Sequence, residues 1–461
     1  MMRSQAMRIG ALAIGLLPCL WAGTGAAAEG PAARPAQPAP LKLSWEDAVK
    51  NGVKQHPLIL AAQRGVLETE AVGKQIAAVN YPQVSGILAN SLGNTRVLSN
   101  LGVSGSLPKP TNYMTDPGAR VDFLITDFGR TAHKVLASKA LMASAEQQVF
   151  TSKALVILNV EQAYLACLKQ QKLVAITREV LTERRLIRDQ AESMYRHQLR
   201  SKLDLDLVSV EVSKAELDFI KAQNDLLAAF AALNAAMGLQ DPVQYVLDDV
   251  QPAVSPAPPL PPLFREALDR RPELLGSKDR VQAAEEALKA AQALNYGSIT
   301  AVGAAGYGWW ARQEVISANG NPNNPGAQQG WWGAGFSSTT PLFTGFRIEA
   351  EIDQAEALTG EARATTKSLA NDVVLQVAKA YLNQLTAEQQ ITVMQDRVDQ
   401  ARNALTLARE RYKAGLASIL DVTTATADLL AAQTGLAEAQ YGYLAGKYAL
   451  AYAMGAEYGR Y

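Results

Sequence analysis

The residues able to do chemistry are few and scattered. Three histidines, His56, His133 and His197, lie far apart without ligand spacing, so they preform no metal site. Cys19 falls in the N-terminal leader. Cys167 lies alone on an apolar helical face, which excludes a disulfide framework and reads as a small core residue. No phosphate-binding loop, dinucleotide glycine pattern, nucleophile elbow or zincin motif occurs. Neither a cofactor nor an enzyme is expected. Lys+Arg and Asp+Glu balance at 44 each, which gives no electrostatic case for nucleic acid. What remains is a set of hydroxyls, carboxylates and phenols that occur twice. Ser201, Asp204 and Tyr195 return as Ser418, Asp421 and Tyr412. Asp204 and Asp421 follow helix breaks, where a carboxylate complements the helix macrodipole.

These pairs belong to a duplication of the chain. From Arg130 to Gly238 every landmark recurs 217 residues later. Ala163-Tyr164-Leu165 becomes Ala380-Tyr381-Leu382, and Ala236-Met237-Gly238 becomes Ala453-Met454-Gly455. Upstream, Pro57 and Asn80-Tyr81 recur at a spacing of 215 as Pro272 and Asn295-Tyr296. Such a unit is far longer than a solenoid repeat. The chain divides into a first repeat over 41–245, a proline-rich linker over 246–262 and a second repeat over 263–461. Before them, Arg3 and Arg8 precede an apolar run from Ile9 to Leu17, with small residues at Ala26-Ala27-Ala28. Residues 1–28 read as a signal peptide, and 29–40 as a flexible Pro/Ala-rich tether. The apolar core is too short to span a bilayer and Pro18 interrupts it; a proline before Cys19 also argues against a lipid anchor.

Each repeat mixes two periodicities. Around 82–127 and 297–343 the charged helix formers give way to Gly, Ser, Val and Thr, and each stretch reads as a β-hairpin. Val121, Phe123 and Ile125 alternate with Arg120, Asp122 and Thr126; Trp332, Ala334 and Phe336 alternate likewise. The strands are long, and Tyr307, Trp309, Trp310, Trp331 and Trp332 gather toward the loop end of the second hairpin, where an interfacial aromatic girdle would sit. A membrane-spanning hairpin is therefore expected over a soluble one. After each hairpin comes a long helical hairpin, about 130–238 and 347–455. Thr131 to Leu199 contains neither Pro nor Gly, and its 69 residues would reach ~100 Å at ~1.5 Å each. Ile391, Val398, Leu405 and Tyr412 recur every seven residues, with Met394, Ala401 and Ala408 three positions later, a coiled-coil seam. The returning helix carries its own row: Leu203, Leu207, Val210, Leu217 and Ile220.

Two hairpins supply four strands, too few to close a membrane barrel, and open edges are intolerable in lipid. More than one chain must share the barrel. With these residues in place the chain resembles the TolC-like outer-membrane factors. The resemblance covers about Leu41 to Gly455. It rests on Asp127-Phe128-Gly129-Arg130 and Pro341-Leu342-Phe343-Thr344-Gly345-Phe346-Arg347, and on the paired Ala-Tyr-Leu segments. Arg271-Pro272-Glu273-Leu274 and the spaced set Tyr412, Gly415, Ser418 and Asp421 complete it. It implies an α+β membrane protein: a homotrimer whose twelve-stranded β-barrel in outer-membrane lipid continues into a twelve-helix coiled-coil periplasmic tube. Such a duct passively conducts substrate from an inner-membrane RND or ABC transporter, through a periplasmic adaptor (membrane fusion protein), in drug efflux or type I secretion.

The same resemblance puts both helix breaks at the periplasmic tip. Asp421 matches a carboxylate that lines the closed entrance, beside its simpler reading as a helix cap; Asp204 is its first-copy counterpart. Thr424 stands where a second acidic ring would be, and Ala417 where a latch arginine is found, so a gate here carries less charge. Tyr412 could bond across helices or pack in the seam. Leu199, Arg200, Ser201, Gly415, Leu416 and Ser418 are the candidates for adaptor contact. The competing reading is a periplasmic or secreted coiled-coil scaffold that conducts nothing.

Overall fold

The computed structural model describes residues 41–93, 112–199, 201–240, 243–250, 254, 258–312 and 328–456. The leader and tether expected over 1–40, and Arg200, lie outside them. The element order is β1 (Leu41–Leu43), α1 (Trp45–Gln55), α2 (Pro57–Ala77), β2 (Gln83–Gly93), β3 (Asn112–Thr126), α3 (Arg130–Arg196) and α4 (Lys202–Ala236). A second set follows: β4 (Tyr245–Leu247), α5 (Leu260–Arg270), α6 (Pro272–Gln292), β5 (Ser298–Arg312), β6 (Gln328–Thr339), α7 (Arg347–Lys413) and α8 (Ile419–Met454). The repeat holds at the level of backbone. Helices α3 and α7 are each 67 residues long, and α2 and α6 each 21.

Local chemistry sets the boundaries. His56 and Arg271 precede prolines and adopt extended backbone, ending α1 and α5, while Pro57 and Pro272 open the next helices with φ already fixed. The turn from sheet to long helix uses two consecutive left-handed residues in both copies: Phe128 and Gly129 (φ +57° and +93°), then Gly345 and Phe346 (φ +62° and +63°). In the first copy Asp127 Oδ2 accepts from the Thr131 N–H at 2.8 Å and Thr131 Oγ1 at 2.5 Å, satisfying the new helix end.

The four long strands form one antiparallel sheet in the order β2-β3-β5-β6, and β1 pairs parallel with β4 in a separate small sheet. Beside that small sheet lies the largest core, built from Val49, Val156, Val160, Tyr164, Leu233 and Tyr443 among others. Tyr164 Oη lies 3.1 and 3.0 Å from the carbonyl oxygens of Leu43 and Asp248, so the buried phenol ties the ends of β1 and β4 to α3. Cys167 is buried in the same core, where burial pushes its thiol up to about 12. Arg271 is buried too. Its guanidinium reaches Glu273 at 3.2 Å and Gln376 at 2.6 Å and lies 5.5 Å from the Tyr452 ring, fixing the α5–α6 corner onto α7 and α8.

The expected seam of α7 is present: Val398, Leu405 and Tyr412 are buried, and Ile391 packs on the main core. The apolar row of α4 faces outward in the protomer. Val208, Val212, Ala215, Ala222, Phe230 and Leu233 are its buried apolar residues, while Leu203, Leu207, Val210, Leu217 and Ile220 are exposed. These exposed side chains lie on the face of α4 that its own chain does not cover. Among the described residues no helix is long and apolar enough to cross a membrane.

Candidate transport site: the sheet and the helical tips

Register across the sheet sorts its side chains onto two unlike faces. Val84 pairs with Val121 and Val121 with Gly303; Phe123 pairs with Ala301, and Ala301 with Phe336. Directly paired residues share a face, so these rows make one apolar surface. Val84, Leu88, Phe123, Trp332 and Phe336 are exposed on it. The other face carries Ser85, Asp116, Arg120, Asp122, Thr300 and Ser337. The Arg120 guanidinium holds Asp122 through contacts of 2.7 to 3.0 Å.

Aromatics mark both ends of the apolar face. Tyr307 and Trp309 pack edge to face at the loop end, with Trp332 on the same side. Trp331 does not join them. Successive residues of a strand alternate, and its indole lies on the polar face over Gly118 and Gly306. For Trp310 the structure gives only the backbone position, opposite Met114. The sequence reading missed a second belt where strands meet helices. There Phe128 contacts Tyr296 and Phe343 contacts Phe346, with ring centres 5.8 and 5.7 Å apart, beside exposed Tyr81 and Leu342. Ser298 to Trp309 is eleven residue steps, ~36 Å of strand, or ~25 Å at the ~45° tilt of a membrane barrel. That equals the height of the apolar band such barrels present to lipid.

At the opposite end the two helical hairpins close with the same turn twice. The α3 helix ends with Gln198 left-handed and the Leu199 N–H donating to Met194 O (2.9 Å); α7 ends with Gly415 left-handed and the Leu416 N–H donating to Arg411 O (2.8 Å). Ser201 and Ser418 then cap α4 and α8, accepting from the N–H groups of Asp204 and Asp421. Asp421 completes a capping box: its Oδ2 accepts from the Ser418 N–H at 2.8 Å and hydroxyl at 3.0 Å. These bonds hold its carboxyl below the usual carboxylate range. The cap expected for Asp421 is thus formed, and its side chain is exposed. Asp204 is half-buried and Thr424 exposed. Leu199 and Leu416 are each 72% exposed, at matching points of the two turns.

Tyr412 packs in an apolar cluster with Ile187, Ala191, Val208, Leu405, Ile419 and Val422, which joins the two hairpins just above the tip. Two arginines reinforce that junction, and sequence pattern gave no sign of either. Arg184 on α3, only 4% exposed, donates to the carbonyl of Thr423 on α8 at 3.0 Å and lies 3.4 Å from Glu211 on α4. Burial lowers its pKa, with Glu211 acting against the shift. Arg409 on α7 pairs with Glu183 on α3. In the duplicate Arg184 corresponds to Ala401, so the contact runs one way only. Among the described residues no group of three or more His, Cys, Asp or Glu is placed to hold a metal ion.

The family model "Outer membrane efflux protein" matches residues 50–239 and 263–456, one match per repeat. The chain belongs to that family, and it is an outer-membrane protein that extends into the periplasm. It is 22% identical over 386 residues to the outer membrane efflux protein BepC of Brucella suis, covering 82% of this chain and 81% of that one. Its fold is that of VceC from Vibrio cholerae, with a TM-score of 0.72 at 20% identity, covering 89% of this chain and 96% of that one. It is likewise that of the Campylobacter jejuni CmeC outer membrane channel: TM-score 0.74, 16% identity, 89% and 85% covered.

Proposed function

We propose that the chain is the outer-membrane exit duct of a tripartite efflux pump or type I secretion system, and that it works as a homotrimer. The observation that carries this is the four-stranded sheet. It has two unpaired edges, β2 and β6, an apolar face of bilayer height with aromatics at both ends, and strands β3 and β6 that lead through short connections into 67-residue helices. Open edges cannot stand in lipid, so copies must complete the barrel; three supply twelve strands and twelve helices. The exposed row on α4 gives each tube wall a surface for its neighbour. The polar face then lines the lumen, and ~100 Å of helix crosses the periplasm.

Substrate passes through by diffusion, loaded by an RND or ABC transporter through a periplasmic adaptor. The adaptor meets the paired tips at Leu199, Ser201, Gly415, Leu416 and Ser418, with Arg200 between them in sequence. Asp421 and Thr424 face the constricted entrance and Tyr412 supports it from the seam. The test is single-channel recording of the detergent-extracted oligomer in planar bilayers, with divalent cations titrated from the tip side. Small, cation-selective currents sensitive to divalent ions are expected. A protein that remains water-soluble and never inserts would instead be a coiled-coil scaffold.

A further inference from the structure

Asp116 sits on the polar face near the loop end of β3, 8% exposed, and its Oδ1 makes no hydrogen bond. Arg120 is committed to Asp122, so among the described residues no cation answers the Asp116 charge. Against that carboxylate lies the Trp331 indole, whose enclosed Nε1–H is a neutral donor and leaves the charge uncompensated. The backbone makes room for the ring. Gly118, Gly306 and Trp331 are in register across three strands, and a Cβ added at Gly306 would fall 2.5 Å from the indole Cζ2. Pro117, which has no N–H to give, interrupts the β3–β5 ladder beside Asp116. Register sets Asp116 opposite Ala89 on β2, whose methyl neither crowds it nor offers it an oxygen.

We propose that Asp116 and Trp331 form a binding station for an amphipathic organic cation on the inner wall of the barrel, near its outer mouth. The assignment rests on the duct reading, which makes the polar face the lumen. An enclosed carboxylate without a counter-charge attracts a cation. A hard metal ion needs several oxygen ligands, and among the described residues no group of three or more His, Cys, Asp or Glu is placed to hold one. The indole face instead favours a soft cation carrying apolar area. The ring lies over the two glycines, and tilting it off them uncovers the carboxylate.

The experiment is equilibrium binding of tetraphenylphosphonium to the detergent-purified full chain. Saturable binding is expected, weakened about tenfold or more in Asp116→Asn, which keeps the shape and removes the charge. Trp331→Leu weakens it severalfold, with Trp331→Phe intermediate as a conservative control. The neutral analogue triphenylphosphine oxide distinguishes little between wild type and Asp116→Asn. Equal tetraphenylphosphonium affinity in wild type and Asp116→Asn, or no saturable binding to wild type, overturns the station. The readout needs no current: a protein that binds at Asp116 but never conducts keeps the site and loses the duct, and one that conducts with unchanged binding does the reverse.

Discussion

Gln198 and Gly415 hold the same place in the two copies, 217 residues apart, and both are left-handed, at φ +58° and +73°. One turn therefore carries a strain that the other avoids, since only glycine enters this region freely. Gly415→Ala should loosen the second tip by about 1 kcal/mol. Gln198→Gly should tighten the first by a similar or smaller amount. Hydrogen exchange of the Leu199 and Leu416 amides checks both, with about fivefold faster exchange at Leu416 expected for the alanine variant.

The Asp421 capping box makes the second tip sensitive to acid. Its carboxyl is lowered in the folded protein, so its stabilisation is present above the unfolded value of about 3.9 and lost as pH falls through the folded value. Protection of the Ser418 amide should persist at neutral pH and fall in acid. In Asp421→Asn the acid-dependent loss should vanish. Ser418→Ala should cost about 1 kcal/mol at neutral pH.

Arg184 is the sole buried cation seen joining α3 to both α4 and α8 among the described residues. Truncation to alanine leaves the Thr423 carbonyl and Glu211 without it, a loss of about 1–3 kcal/mol after allowing for the partial exposure of Glu211. The expected outcome is a tip that opens more easily. Bilayer recordings should show larger or more frequent conducting events in Arg184→Ala than in Arg184→Lys.

Leu217 tests assembly. It is half-exposed within its own chain, so Leu217→Glu should leave the protomer's helicity unchanged while placing charge in the surface proposed to meet a neighbour. Circular dichroism should match wild type, and crosslinking or native mass spectrometry should show monomer in place of trimer.

Much of this architecture was legible because it is periodic. A seven-residue spacing located the seam through Val398, Leu405 and Tyr412, and two-residue alternation located the apolar face at Val121 and Phe123. Duplication marked the matching helix breaks at Tyr195–Asp204 and Tyr412–Asp421. What escaped depends on neighbours. The α4 row at Leu203 to Ile220 has seam spacing but lies on the uncovered side, because periodicity shows that a face is apolar without saying what meets it. Adjacent Trp331 and Trp332 look alike in a count of aromatics and point in opposite directions on a strand. The junction belt of Tyr81, Phe128, Tyr296, Phe343 and Phe346 assembles from four separate segments. Arg184 could not be found by spacing at all, since nothing local marks which of the arginines on α3 turns inward.

The left-handed pairs at Phe128-Gly129 and Gly345-Phe346 reverse the order of the two residue types while keeping the backbone shape. What the duplication has preserved is the joint itself, not the residue that makes it easy. Left-handed wells are narrow, so the entry into each long helix is a stiff joint. A lever fixed at one end moves its free end only by flexing along its length. In the proposed duct, widening at the Ser201 and Ser418 ends therefore comes from bending or uncoiling within α3 and α7 rather than from rotation at their strand ends.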